Sequence, residues 1–160
     1  MPTKDPKVTA VPQARGAIPY LIVKGAGDAI AFYQRVFGAE LLMRLDAPDG
    51  VMHAELQVGP AHFMLTEERP QYQSIGPLSR GGSSTGAILY VPNSDEVVKR
   101  AVDAGATVTM PVADQFWGDR SGNITDPFGH NRWISTHIED PTPEEITRRA
   151  KALFAQGGGC

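Results

Sequence analysis

Asp28-Ala29-Ile30-Ala31-Phe32-Tyr33-Gln34-Arg35-Val36-Phe37-Gly38-Ala39 has a counterpart 67 positions later, Asp95-Glu96-Val97-Val98-Lys99-Arg100-Ala101-Val102-Asp103-Ala104-Gly105-Ala106. Each stretch opens on an aspartate, whose carboxylate can accept a free N–H at a helix start. Each stops at a glycine, which suits the left-handed position after a helix. Ile30, Tyr33, Val36 and Phe37 fall at helical spacing, as do Val97, Val98, Ala101 and Val102. Asp28 is the expected cap of the first helix, and Ser94 or Asp95 that of the second. The same shift carries Ile22 and Val23 onto Leu89 and Tyr90, inside a second apolar run. A repeat at fixed offset points to two modules that pack by pseudo-symmetry.

Working outward, each helix is preceded by one strand and followed by three. Strands are expected at 18–23, 40–45, 51–58 and 61–66, then at 86–91, 107–110, 123–125 and 131–136. Pro48-Asp49-Gly50, Gly59-Pro60 and Asp126-Pro127-Phe128-Gly129 are the turns. The fold class is therefore α+β: two βαβββ modules, 17–67 and 85–137, joined by a linker at 68–84 and building a cupped mixed sheet. Residues 1–16 read as a flexible arm and 156–160 as a flexible tail. A last helix occupies the 138–155 segment. Thr142-Pro143-Glu144-Glu145 is its capping box, and Ile146, Ala150, Leu153 and Phe154 are its apolar stripe, to dock on the chain's own sheet or on a partner.

Composition narrows the function classes. A chain of 160 residues with 15 basic and 18 acidic side chains has a net charge of −3, a poor match to polyanionic nucleic acid. No apolar run reaches the roughly 18–20 residues of a membrane span, and the first residues lack the apolar core of a signal peptide. The single cysteine, Cys160, leaves no intrachain disulfide and no cysteine metal cluster. A globular cytoplasmic protein is expected, with no nucleic-acid or membrane partner.

Several stretches together resemble the vicinal oxygen chelate superfamily, which includes glyoxalase I, bleomycin-resistance proteins and extradiol dioxygenases, and within it the PhnB-like, glyoxalase-like branch. They are Ile18-Pro19-Tyr20-Leu21-Ile22-Val23, Phe32-Tyr33 through Phe37-Gly38-Ala39-Glu40, His53-Ala54-Glu55-Leu56 and Trp117-Gly118-Asp119-Arg120-Ser121-Gly122. The match is best over Asp126-Pro127-Phe128-Gly129-His130 with Trp133, then Thr136-His137-Ile138-Glu139-Asp140 and Pro143-Glu144-Glu145. The resemblance implies two βαβββ modules around a cup and allows many chemistries. Metal-dependent relatives hold a divalent ion through the first and last strands of each half. At the matching places this chain has Ile18, Ala87 and Trp133, which offer no lone pair to a metal. The implied metal set is absent, and no cofactor is expected. A divalent metal at a nonstandard site stays open only as the alternative below.

The third strand alternates. Met52, Ala54, Leu56 and Val58 are expected under the helices, and His53, Glu55 and Gln57 on the cup face, with His62 beside them if its parity matches. His53 and Glu55, about 7 Å apart along the strand, could bind a ligand, share a proton or supply two ligands of a nonstandard metal site; a solvated outer face is the bland alternative. Trp117, Asp119 and Arg120 lie in a Gly-flanked loop beside Phe116. There Arg120 could fork onto an anion and the aromatics could wall a ring, or the loop is a surface turn. Trp133 reads as core or cup floor. Asp126 is expected to hold its own turn, His130 to be exposed or turn-bound, and His137 to tie down the last helix. The hydroxyls of Tyr20 and Tyr90 need partners if buried. Neither a phosphate-binding Gly loop nor a hydrolase elbow occurs.

The expected function is a cup-binding protein for a small aromatic or anionic molecule, without the usual metal set and acting as a homodimer. The alternative is a metal-dependent lyase, isomerase or dioxygenase using His53 and Glu55. A simple dimeric interaction module is a third reading, in which replacing His53 and Glu55 changes nothing.

Overall fold

The computed structural model describes residues 16–157. Of the expected arm only Gly16 falls within it, and of the expected tail only Gln156 and Gly157; the rest lies outside the described residues. The first half runs β1 (Tyr20–Val23), α1 (Ala26–Phe37), β2 (Glu40–Ala47), β3 (Gly50–Val58) and β4 (Ala61–Glu67). A linker with the short helix α2 (Pro77–Arg80) leads to β5 (Gly86–Tyr90), α3 (Ser94–Asp103), β6 (Thr107–Asp114), β7 (Asp119–Thr125) and β8 (Asn131–His137). Helix α4 (Pro143–Ala155) closes the chain. The strand orders are β1-β4-β3-β2 and β5-β8-β7-β6, with the first strand of each half parallel to the last. Both halves are thus the expected βαβββ units, and each forms its own four-stranded mixed sheet.

The helix caps differ in detail. Helix α1 starts two residues before Asp28, from Gly25 in the left-handed conformation, where the absent Cβ removes the steric cost. Its free N–H groups at Gly25 and Ala26 donate to the two oxygens of Glu67, each at 2.7 Å. A carboxylate from the end of β4 therefore does the capping, and Asp28 sits in the first turn, where it suits the helix dipole. In α3 the cap is Asn93, which accepts the N–H of Glu96 at 3.2 Å, rather than Ser94 or Asp95. Thr142 caps α4 as expected, accepting from Glu145 with Pro143 in the first turn.

The two sheets turn one face toward α1 and α3, and the core lies there. Val23, Tyr33, Val36, Leu56, Leu65, Ile124 and Ile134 are fully buried. The halves are pinned together within this layer. Tyr33 of α1 donates to Asp126 at 2.8 Å, Arg132 of β8 donates to Tyr33 at 3.0 Å, and Arg132 pairs with Asp126 at 3.3 Å. Burial pushes the Tyr33 hydroxyl far above its ordinary pKa. Asp126 also accepts the N–H groups of Phe128 and His130, the expected turn role. His130 is buried rather than exposed: its Nε2 lies 3.2 Å from the Ile22 carbonyl of β1, across the joint, and burial depresses its pKa.

Helix α4 is only half docked. Its entry is fixed by Gly118, whose carbonyl accepts the N–H groups of Ile138 and Glu139. Gly118 has φ +100°, and a Cβ there would collide with the Glu139 carbonyl and the Pro141 ring. Arg149 then bonds Glu139 and Glu145. Of the expected stripe, Ile146 and Ala150 are half-buried, whereas Leu153 and Phe154 are exposed. No helix among the described residues is long and apolar enough to cross a membrane.

Candidate functional site

Because the core takes one face of each sheet, the other face is open, and strand register decides which residues stand on it. In β3, Ala54 and Leu56 point into the core and His53, Glu55 and Gln57 point outward, as the alternation requires. Met52 departs from the expected pattern. It is 49% exposed and Val51 is buried instead, because the β2–β3 ladder slips between Leu45 and Asp46 and leaves one extra residue on β3. Gln57 pairs across to His62, and Glu55 to Met64, which is also opposite Tyr20 on β1. Residues directly opposite share a face, so Tyr20, His53, Glu55, Gln57 and His62 are gathered on one surface.

They form a connected chain. Tyr20 Oη lies 3.1 Å from His53 Nδ1, and the rings meet edge to face at 5.6 Å. His53 Nε2 lies 3.5 Å from Glu55 Oε1, and His62 Nε2 lies 3.0 Å from Glu55 Oε2. The last pair is close but out of line for a hydrogen bond, so it is an electrostatic contact around a nitrogen shielded from water. Gln57 turns aside and donates to the carbonyl of Gly59.

In the second half, Trp133 of β8 stands opposite Asn123 and beside Ile88, on the open face. Trp117 meets Trp133 at 6.4 Å and Phe116 at 4.9 Å, so the loop aromatics and the strand tryptophan form one wall. Asp119 begins β7 on this face and accepts from Tyr90 at 2.8 Å, Trp117 at 3.2 Å and His137 at 2.8 Å. Burial raises the pKa of Asp119, but the bonds from His137, Tyr90 and Trp117 outweigh it and hold the carboxyl below its usual range. His137 reaches Asp140 through its other nitrogen, which pins the segment before α4. Asp119 first, then Asp140, raise its pKa. Arg120 is not in this group. It lies one residue further along a strand, so it points to the helix side and forks onto Asp95 of α3, with Asp114 as a second partner.

His53, Glu55, Trp117, Asp119 and Trp133 are legible in the sequence, but their connections are not. Tyr20 joins His53 across 33 residues and Tyr90 joins Asp119 across 29, contacts that only the register reveals. The need for partners of the two hydroxyls was the available signal.

The donor set does not fit the metal of the resembled enzymes. Ile18 precedes β1, and Trp133 offers no lone pair. Ala87, opposite Arg132, lies on the helix side, one residue out of the expected alignment; its open-face neighbours Gly86 and Ile88 carry no donor side chain. Among the described residues no three His, Cys, Asp or Glu side chains group so as to hold a metal ion. At His53 and Glu55, the Nε2 atoms of His53 and His62 are turned onto the Glu55 carboxylate and the Nδ1 of His53 onto the Tyr20 hydroxyl. A groove of about 460 Å³ lies elsewhere, between α4 and the end of β6, lined by Asp114, Gln115, Phe116, Arg149, Leu153 and Gln156. Its charged groups are committed, Asp114 to Arg120 and Arg149 to Glu139.

The sequence profile of the Glyoxalase/Bleomycin resistance protein/Dioxygenase superfamily matches residues 14–134. The chain belongs to that superfamily. Within reach of it is the uncharacterized protein Mb0911c of Mycobacterium bovis, 38% identical over 145 residues, covering 88% of this chain and 93% of that one. Protein YjdN of Escherichia coli is 28% identical over 78% of this chain and 97% of its own length. Among solved structures, protein PA1353 of Pseudomonas aeruginosa superposes with a TM-score of 0.64 at 27% identity, covering 79% of this chain and all (100%) of that one. FosX of Listeria monocytogenes, described with Mn(II) and sulfate, superposes at 0.58 with 20% identity over 86% of this chain and 98% of that one, a likeness of superfamily fold alone.

Proposed function

We propose that the protein binds a small aromatic molecule on its open sheet faces without the help of a metal. One observation carries the reading: the second open face offers Trp133, Trp117 and Tyr90 as a ring wall, while the strand residues of both open faces include no lysine or arginine. Arg69, which touches Thr66 at the end of the first face, is tied to Asp49. Arg120 and Arg132 are turned to the helix side by their own partners. With Glu55 and Asp119 on the faces, a neutral or cationic ring is favoured over the anion that was the other expectation. A second copy of the chain is the proposed partner. Tyr20, Met43, Leu45, Ile88 and Tyr90 remain between 41% and 63% exposed on the open faces, apolar surface that a facing copy would cover. A cytoplasmic setting belongs to the same reading, supported by the single cysteine.

The test is tryptophan quenching by a charge-matched series: 4-nitrobenzyl alcohol, 4-nitrobenzylamine and 4-nitrobenzoate, each with and without chelator. The neutral and cationic members are expected to quench saturably, with equal affinity in chelator. Trp133→Ala should weaken them about tenfold, the scale of one lost aromatic contact. Preference for the benzoate, or loss of binding in chelator, would contradict the reading. Sedimentation should show a dimer; a monomer at tens of micromolar would remove the second copy.

A further inference from the structure

The first open face carries a chain of groups that ring binding alone does not use. A carboxylate only accepts, so the nitrogen that His53 turns to Glu55 Oε1, Nε2, is the protonated one. A neutral imidazole protonated there leaves Nδ1 as an acceptor, and the Tyr20 hydroxyl donates to it at 3.1 Å. The second oxygen of Glu55 faces His62 Nε2 at 3.0 Å. Solvent access increases from Glu55 outward: the side chains of Glu55 and His53 are 14% and 23% exposed, and Tyr20 is 51% exposed. A base, its orienting carboxylate and an accessible hydroxyl in series are the parts of a proton relay.

We propose that Tyr20, His53 and Glu55 form a metal-independent proton-transfer site acting on a small, uncharged carbon acid bound on this face. The inference rests on the binding reading above for its substrate. In the step, the C–H proton of the substrate passes to Tyr20 Oη while the hydroxyl proton of Tyr20 passes to His53 Nδ1. The electron pair of the broken C–H bond stays on the substrate, to form an enolate or expel a leaving group. Glu55 faces the resulting imidazolium, and the proton gained by His53 returns to water after release. Tyr20 is the group that meets substrate; His53 takes the proton; Glu55 is a positioning residue.

The probe is 5-nitrobenzisoxazole, a neutral aromatic carbon acid. Removal of its C3 proton forms the nitrile, breaks the N–O bond and releases 2-cyano-4-nitrophenolate, which is followed by absorbance. The full chain should accelerate this reaction over buffer, unchanged by chelator. Tyr20→Phe and His53→Gln should each lower kcat by about 100-fold, the low end for positioned acid–base catalysis. Glu55→Gln should lower kcat with KM little changed, and its pH–rate profile should shift. Near-ultraviolet circular dichroism checks that each variant is folded. A probe that quenches tryptophan but is not turned over overturns the relay and leaves the binding reading standing. Turnover that survives His53→Gln also overturns the relay. A probe that neither quenches nor reacts overturns both.

Discussion

The two open faces carry the same three residue types, a tyrosine, a histidine and a carboxylate, connected in different orders. In the first half Tyr20 donates to His53 and His53 faces Glu55. In the second half Tyr90 donates straight to Asp119, and His137 stands between Asp119 and Asp140. A histidine between a hydroxyl and a carboxylate is satisfied as the neutral ring. A histidine between two carboxylates must donate from both nitrogens and is the imidazolium. Asp119 raises the proton affinity of Tyr90 as well as of His137. The second cluster is thus a locked electrostatic brace, and the first has a proton that can move. One duplicated fold can therefore hold a structural device in one half and a chemical device in the other, depending on which side chain receives the tyrosine's hydrogen bond.

The most severe way to break the comparison is to unpin the joint that holds the halves. Asp126→Ala leaves Arg132 buried and two turn N–H groups without their acceptor. A loss of about 3–5 kcal/mol in urea unfolding is expected; a loss under about 1 kcal/mol would show that the joint does not bear on stability. The next test sets one cluster against the other. Asp119 is 4% exposed, shielded by its own bonded partners rather than by the core. Asp119→Asn should cost about 1.5–3 kcal/mol, as a charge-assisted set is lost. Glu55→Gln, where His53 stands at 3.5 Å and His62 out of line, should cost less than Asp119→Asn; equal costs would erase the difference between brace and relay.

A third test uses pH. His137 is raised in the fold, so its contribution is full below its ordinary value of about 6.5 and is lost as pH climbs through the raised value. Asp119 is lowered, so its contribution is full above about 3.9 and is lost as pH falls through the lowered value. The difference in melting temperature between the wild type and His137→Gln should peak between these limits and shrink at pH 9; a difference that grows toward pH 9 would reverse the assignment. The smallest effect is expected at the periphery. Thr142→Ala removes the cap of the half-docked α4 and should cost about 1 kcal/mol or less, leaving both open faces unchanged.

The repeat is legible because helix stops and apolar spacing are local: Gly38 and Gly105 both take positive φ, and both helices bury most of the expected stripe, with Phe37 partly buried and Val102 exposed. The caps were less so. The groups at the start of α1 are satisfied by Glu67, more than forty residues away, and no local pattern announces it. The parity of His53 and Glu55 follows from strand alternation and that of His62 only from its pairing with Gln57, whereas Met52 escapes the pattern because a bulge is a property of two paired strands. The flanking glycines of Arg120 suggest a loop, and only its position on β7 fixes the side to which it points.

The most direct measurement of the difference between the halves is a long-range ¹H–¹⁵N correlation spectrum of the histidine rings in the ligand-free protein near neutral pH. His53 is expected as the neutral ring protonated at Nε2, with Nδ1 bare, and His137 as the ring protonated at both nitrogens. Finding His53 protonated at Nδ1, or both histidines in the same state, would contradict the assignment of a mobile proton to the first half and a locked one to the second.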